Sequence, residues 1–337
     1  MSGAAPCNAK LIGPVARARR AVSNGVRAMV VSEQDVRAVL RYEALIPAIR
    51  EALSDYSADR VVQPPRTILR AGNAQGAENG WFAVMPVIAG DVMGVKTVTF
   101  YPGNAALGLP THLAMVELLR RATGEPLAMM DGRLITEMRT AAVSAVAFAA
   151  LAPLHFALAP RSLGILGSGV QAQAHVEALR IVWPELEEIR IWSPTRANAE
   201  RRAAETGGRA TAIDEAAAAE VVLTATAAAE PILQGRWLRA DALVLAVGAT
   251  GATVRELDDE TMRTSFVVAE SRECVERESG DVRLSGATAR AEIGEVLAGK
   301  GAAIPRAGRV LFKSVGMAIE DLTAARLVWQ ARTAAGA

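Results

Sequence analysis

Lys96 stands inside the run VMGVKTVTF, flanked by valines and threonines. An ammonium in such a strand is costly to desolvate unless it lines a site. Arg66 follows Gln63-Pro64-Pro65, and Arg139 opens the alanine-rich run RTAAVSAVAFAALA. Two guanidiniums and an ammonium brought together would grip a carboxylate and are the candidate catalytic set. Each alone also reads as a snorkelling surface residue. His112, in GLPTH, is a further candidate, although a lone histidine is more often structural.

A second constellation starts at Gly164. The segment GILGSGVQA follows an apolar strand and opens a helix, and within it Gly167-Ser168-Gly169-Val170-Gln171-Ala172 gives G-x-G-x-x-A. Glycines permit the tight turn and close backbone approach, and the helix N-terminus offers unpaired N–H groups to a pyrophosphate. The next strand ends in Trp192-Ser193-Pro194-Thr195-Arg196. An NAD site usually carries an acidic residue there for the ribose hydroxyls. Ser193, Thr195 and Arg196 suit a 2′-phosphate better, so NADP(H) is the preferred cofactor and NAD(H) remains possible.

The stretch LVLAVGATGATVREL, 243–257, reads as a buried strand running into a glycine-marked turn. In an open parallel sheet that end faces the ligand crevice. Yet no side chain from Val247 to Val254 can ionise near neutral pH. Chemistry there must proceed without a local acid or base.

These residues need elements to hold them. At 337 residues two domains are expected. Ser32 reads as a helix cap, and Pro47 as a break or a first-turn position. VVQPPRTIL, GWFAVMPVIAG and VMGVKTVTFYP read as successive strands, and LAMVELLRRATGEPLAMMDG as two more joined at Thr123-Gly124. An alanine-rich helix is expected from Arg139. After Pro160, apolar runs alternate with helical ones, the mark of a doubly wound parallel sheet. From Phe312 a long amphipathic helix is expected. The fold class is therefore α/β: a Rossmann nucleotide domain over 156–303, with an α+β substrate domain over 29–155 completed by 304–332.

Composition limits the function classes. Half the chain is apolar and the net charge is +1, which gives no nucleic-acid footprint. No stretch reads as a transmembrane helix. Two cysteines, Cys7 and Cys274, and three scattered histidines suggest neither a disulfide framework nor a metal site, and a reducing cytoplasm is expected. Residues 1–28 are Arg-rich with no acidic residue. They read as a transit peptide or, more simply, a disordered extension with Met29 opening the fold.

QPPR, GVKTVTFYPGN, GLPTH, MDGRLITEMRTAAVSAVA, GILGSGVQA, AVGATGATVRELD, ESGDV, EIGEV and FKSVGMAIED occur in this order. Together they resemble the ornithine cyclodeaminase/mu-crystallin family from Met29 onward. The resemblance implies a homodimer formed through the first domain. It implies that Arg66, Lys96 and Arg139 hold the substrate's carboxylate and nitrogen end. It also implies that Thr111, Arg139, Gly167 to Gln171, Thr226, Ala246, Val247, Gly248 and Ser314 line the dinucleotide site, with Lys313 near the nicotinamide end.

The sequence departs from the cyclodeaminases at Thr250 and Val254. Those enzymes carry a catalytic aspartate and a lysine there, and Thr250 cannot act as a base near neutral pH. The pattern is closer to the ketimine-reductase branch. The expected function is reduction of a small α-imino acid, of Δ1-pyrroline-2-carboxylate or Δ1-piperideine-2-carboxylate type, to an L-amino acid. Its rivals are an alanine-dehydrogenase-like enzyme, an ornithine cyclodeaminase and a noncatalytic NADPH-binding protein.

Overall fold

The computed structural model describes residues 28–72 and 78–336. Apart from Ala28, the expected extension lies outside the described residues.

The chain opens with β1 (Met29–Val31), α1 (Glu33–Val39) and α2 (Tyr42–Ser57). Ser32 accepts from the Asp35 amide and Asp35 returns a bond, closing a capping box on α1. Pro47 neither breaks α2 nor sits in its first turn; it lies inside the helix. One amide bond is lost there, and burial of Leu45, Ile46, Ile49 and Leu53 along one face offsets it.

Then come β2 (Val61–Val62), β3 (Thr67–Gly72), β4 (Glu78–Ala89), β5 (Val92–Phe100), β6 (His112–Arg120) and β7 (Pro126–Asp131). VVQPPRTIL is two strands rather than one, because Pro64 and Pro65 have no amide to give a ladder. The sheet order is β1-β7-β6-β5-β4-β2, with β3 also on β4. Its strands alternate: Val92, Gly94, Lys96 and Val98 point inward while their neighbours do not.

Helix α3 (Arg133–His155) begins six residues before the expected start. The Asp131 carboxylate accepts from the Arg133 amide and fixes that start. Arg139 therefore sits inside the helix, not at its opening. The longer α3 is apolar enough to span a membrane by length and composition, contrary to expectation, but it is mostly buried in the protein.

The second sheet is all parallel. It uses β8 (Ser162–Leu166), β9 (Glu188–Trp192), β10 (Arg209–Ala210), β11 (Val221–Thr224), β12 (Leu243–Ala246), β13 (Ser265–Ala269), β14 (Ala291–Glu292) and β15 (Arg309–Lys313). Their order is β10-β9-β8-β11-β12-β15-β13-β14. The chain winds one way from β8 and the other way from β11, so a ligand crevice opens at their carboxyl ends. The connecting helices are α4 (Val170–Val182), α5 (Arg196–Thr206), α6 (Ile213–Ala217), α7 (Asp259–Thr264), α8 (Arg272–Glu278), α9 (Gly280–Ser285) and α10 (Ile293–Leu297).

The expected boundary at 304 needs correction. Arg309–Lys313 is a strand between β12 and β13, so the return to the first domain follows Lys313. Its apolar run VLF, buried without alternation, suits a strand covered on both faces. The final helix, α11 (Ala318–Ala334), starts six residues after Phe312. It lies against β4, β5 and β6 on the inner face of the first sheet. Gln63, before β3, accepts from the Ile319 amide at 2.8 Å and caps its N-terminus.

Candidate active site

Lys96 and Arg139 reach one carboxylate from different elements. Lys96 Nζ lies 2.6 Å from Asp321 Oδ2, and Arg139 Nε lies 3.2 Å from Asp321 Oδ1. Arg139 Nη1 is 2.6 Å from Glu320 Oε2. Both acids sit in the first turn of α11. Arg66 Nε is 2.7 Å from Glu278 Oε2, and its Nη2 donates to the carbonyls of Val315, at 2.7 Å, and Gly316. Gly316 has φ +81°, and a Cβ there would stand 2.6 Å from Arg139 Nη1. Only glycine allows this turn to pass so close to the guanidinium. The three cations thus converge on the turn before α11 and the first turn of that helix. A narrow cleft beside them is lined by Arg66, Met85, Cys274, Glu278 and Gly316. A wider groove along α2 and α11, at Glu51, Thr323 and Arg326, contains none of the three.

Burial brings the Lys96 ammonium down to about 8, Arg139 and Arg66 push the same way, and Asp321 opposes them. Burial alone would raise Asp321, but Lys96 and Arg139 carry it below its ordinary value. His112 opens β6 and is pulled down to about 4, by burial first and then by Lys96 and Arg139. It is neutral across the physiological range.

The carboxyl ends of β12, β13 and β15 form the neighbouring floor. Lys313 is wholly buried; its Nζ lies 2.8 Å from Asp281 Oδ2 and donates to the Gly248 carbonyl at 3.0 Å. It works under the loop as a positioning residue. Ser314 Oγ donates to Glu270 Oε1 at 2.7 Å, and its amide bonds the Ala246 carbonyl at 3.0 Å. Ala246 ends β12, and the amides of Val247 and Gly248 reach the Thr224 carbonyl. Glu256 Oε1 accepts from the Thr226 amide and hydroxyl at 2.6 and 2.7 Å. A Cβ on Gly248 would stand 2.4 Å from that same oxygen, so glycine is required. Thr250 is exposed and follows Ala249, whose φ is +49°. The Gly251 amide and carbonyl pair with the Glu278 carbonyl and the Gly280 amide. The loop is therefore tied to the segment that carries the partner of Arg66.

The glycine turn lies at the carboxyl end of β8. Gly169 caps α4 without a side-chain bond; among the described residues nothing stands where its Cβ would be, and the Val170 and Gln171 amides are left for a pyrophosphate, the Ala172 amide already bonding the Gly169 carbonyl at 3.1 Å. Val170 is exposed at that tip. Gln171 Oε1 is buried without a partner among the described residues, while its carbonyl bonds His175 Nδ1 at 2.7 Å. Ser168 Oγ donates to Ser193 Oγ at 2.9 Å, joining the turn to the end of β9. Thr195 is exposed at the start of α5, and Arg196, 64% exposed, pairs with Glu200 along its own helix at 2.8 Å. Thr111 lies just before β6, in the first domain, where its carbonyl accepts from the Tyr101 amide. The residues fit a dinucleotide: an open turn, free helix amides, and hydroxyls at the second strand end.

Five contributors escaped the sequence reading. Asp321, Glu320, Glu278 and Glu270 supply the carboxylates. Arg202, buried in α5, donates to the Ser168 carbonyl at 3.2 Å and steadies the turn from behind. Buried cations require buried anions, so acids inside apolar runs such as AIEDL and VVAES were the available signal.

The ornithine cyclodeaminase/mu-crystallin family profile matches residues 26–335. The ketimine reductase mu-crystallin of Mus musculus is 42% identical over 311 residues, covering 89% of this chain and 96% of that protein. A Δ1-pyrroline-2-carboxylate/Δ1-piperideine-2-carboxylate reductase of Azospirillum brasilense is 36% identical over 306 residues, covering 88% and 94%. Among solved structures, the Δ1-pyrroline-2-carboxylate reductase of Thermococcus litoralis, in complex with NADH and L-proline, is 31% identical with a TM-score of 0.83. It covers 91% of this chain and 98% of that one. The chain belongs to the ornithine cyclodeaminase/mu-crystallin family.

Proposed function

We propose that this protein is an NAD(P)H-dependent reductase of a small α-imino acid, acting on the C=N bond of Δ1-pyrroline-2-carboxylate or Δ1-piperideine-2-carboxylate to form an L-amino acid. The observation that carries this reading is the convergence of Lys96, Arg139 and Arg66 on Gly316–Asp321, beside the ends of β12 and β15. The bound nicotinamide supplies hydride. Arg139 and Arg66 hold the substrate carboxylate by charge-assisted bonds, which sets the imine carbon's position. Lys96, poised to lose its proton at about 8, provides the proton at the imine nitrogen. His112 stays neutral and adds no competing charge. The absence of an ionisable side chain between Val247 and Val254 suits a reaction that eliminates no ammonia.

Ser193, Thr195 and Arg196 favour a 2′-phosphate, which supports NADPH over NADH. A homodimer is supported by the outer face of the first sheet. In register across it run Leu69, Phe82, Thr99 and Leu113, then Thr67, Val84, Thr97 and Met115. Leu69, Leu113 and Met115 are exposed there, an apolar patch of the kind that marks an interface. Sedimentation of the native protein tests this, and a monomer at micromolar concentration would overturn it. A cytoplasmic setting supplies the reduced cofactor, and localisation of a fluorescent fusion reads it.

A spectrophotometric panel tests the reaction. NADPH is expected to be consumed with either cyclic imino acid and no added ammonia. Turnover only with pyruvate plus ammonia would point to an alanine-dehydrogenase-like enzyme. Proline and ammonia formed from ornithine with NAD would establish a cyclodeaminase. Tight NADPH binding with no turnover would make the protein a noncatalytic binder.

A further inference from the structure

Glu270 and Glu320 are both buried carboxyl groups, and they face each other. Glu270 follows β13 and already accepts three bonds. Ser314 Oγ gives one at 2.7 Å, and the Val315 and Gly316 amides give two at 3.2 and 2.8 Å. Both of its oxygens are therefore already met by donors. Glu320 Oε2 takes Arg139 Nη1 at 2.6 Å, whereas its Oε1 has no donor among the described residues. Two ionised carboxylates in contact would repel strongly in this dry interior. A proton on Glu320 Oε1 gives the orphan oxygen a role and turns the contact into a hydrogen bond to Glu270.

The charge count points the same way. Lys96, Arg139 and Arg66 face Asp321, Glu278 and Glu270, and the set balances when Glu320 is neutral. Burial first, and then the Glu270 charge, drive Glu320 well above the ordinary carboxylate range; Arg139 opposes them.

We propose that Glu320 carries a proton in the resting protein and thereby keeps the positive charge of Arg139 available to an incoming carboxylate. This rests on the reading of Arg139 as a carboxylate-binding residue. A neutral Glu320 accepts one bond from Arg139 without cancelling its charge, which leaves Asp321 as its one full counter-ion in direct contact. An ionised Glu320 would add a second and would repel the substrate carboxylate. Glu320 is a positioning residue: it acts through Arg139. The groups that face it are Arg139 from α3, Glu270 beyond β13 and Asp321 on its own helix. Lys96 from β5, and Arg66 with Glu278, stand behind these.

The test is the pH dependence of KM and kcat for the imino acid in the native protein and in Glu320→Gln, whose amide stays neutral. In the native protein KM should rise above the Glu320 transition, by about tenfold per pH unit. Glu320→Gln should lose that rise and keep the kcat fall due to Lys96. The same KM rise in both proteins would overturn the proposal. Difference infrared spectroscopy reads the proton without turnover, so it stands even if the substrate assignment fails. The native protein should show the carbonyl stretch of a protonated carboxyl at neutral pH, and Glu320→Gln should lose it. No such band in the native protein, or a band undiminished in the variant, would overturn the proposal without the variant having to be active.

Discussion

Two buried lysines, each paired with an aspartate, serve opposite ends. Lys313 Nζ sits 2.8 Å from Asp281 and also donates to the Gly248 carbonyl, while Asp281 accepts the Glu256 and Leu257 amides. Every charge in that set is answered. Lys96 Nζ sits 2.6 Å from Asp321, but burial first, and then two guanidiniums beside it, loosen its proton to about 8. A buried ammonium with saturated partners fixes a backbone. One with too few partners and like-charged neighbours is ready to exchange a proton.

The largest expected effect is at Lys96. Lys96→Met should lower kcat by about two to four orders of magnitude while leaving dinucleotide affinity, read by fluorescence quenching, unchanged. In the native protein kcat should fall as pH rises through about 8. Because the folded-state value lies below the ordinary 10.5, the unfolded chain binds more protons between them, so this group adds stability as pH rises through that window. A kcat that stays flat across pH 8 would break the contrast. The intermediate effect is at Lys313. Lys313→Met leaves Asp281 uncompensated and should cost about 3–5 kcal/mol, seen as a lower Tm, with kcat of the folded fraction within a few-fold of native. An unchanged Tm with a kcat loss as deep as that of Lys96→Met would make the two lysines equivalent. The smallest effect is at the far end of the crevice. Arg196→Ala should raise KM for NADPH about three- to tenfold and leave that for NADH nearly unchanged. Equal changes for both would show that Arg196 merely serves its helix pair with Glu200.

Much of this was legible in the sequence for identifiable reasons. The turn at Gly167–Ala172 advertises a backbone demand that few residues meet. Lys96, Arg66 and Arg139 stand out because cations are costly in apolar runs. The alternation of strands and helices after Pro160 marked the parallel sheet. What stayed hidden depends on three-dimensional partners. Arg139 looked like a helix opening, since only the Asp131–Arg133 bond shows where α3 starts. β15 carries no strand signal of its own and its last residues fall at the expected start of the final helix, because RVLFK is too short for periodicity to decide. Glu320 and Asp321 resemble an ordinary acidic first turn until the cations they face are located.

The placement of β15 and α11 bears on how the protein reaches activity as it is synthesised. β15 is an interior strand of the second sheet, and α11 delivers Glu320 and Asp321 to the first, yet both follow nearly everything they touch. Each sheet therefore waits on the same closing segment, and those pairings span long sequence separations, which are slow to form. A nascent chain halted before Arg309 would hold the glycine turn and all three cations, but would lack the strand joining β12 to β13 and two of the acids. Until that segment leaves the ribosome, Lys96 and Arg139 lack Asp321, the carboxylate that bridges them in the folded chain.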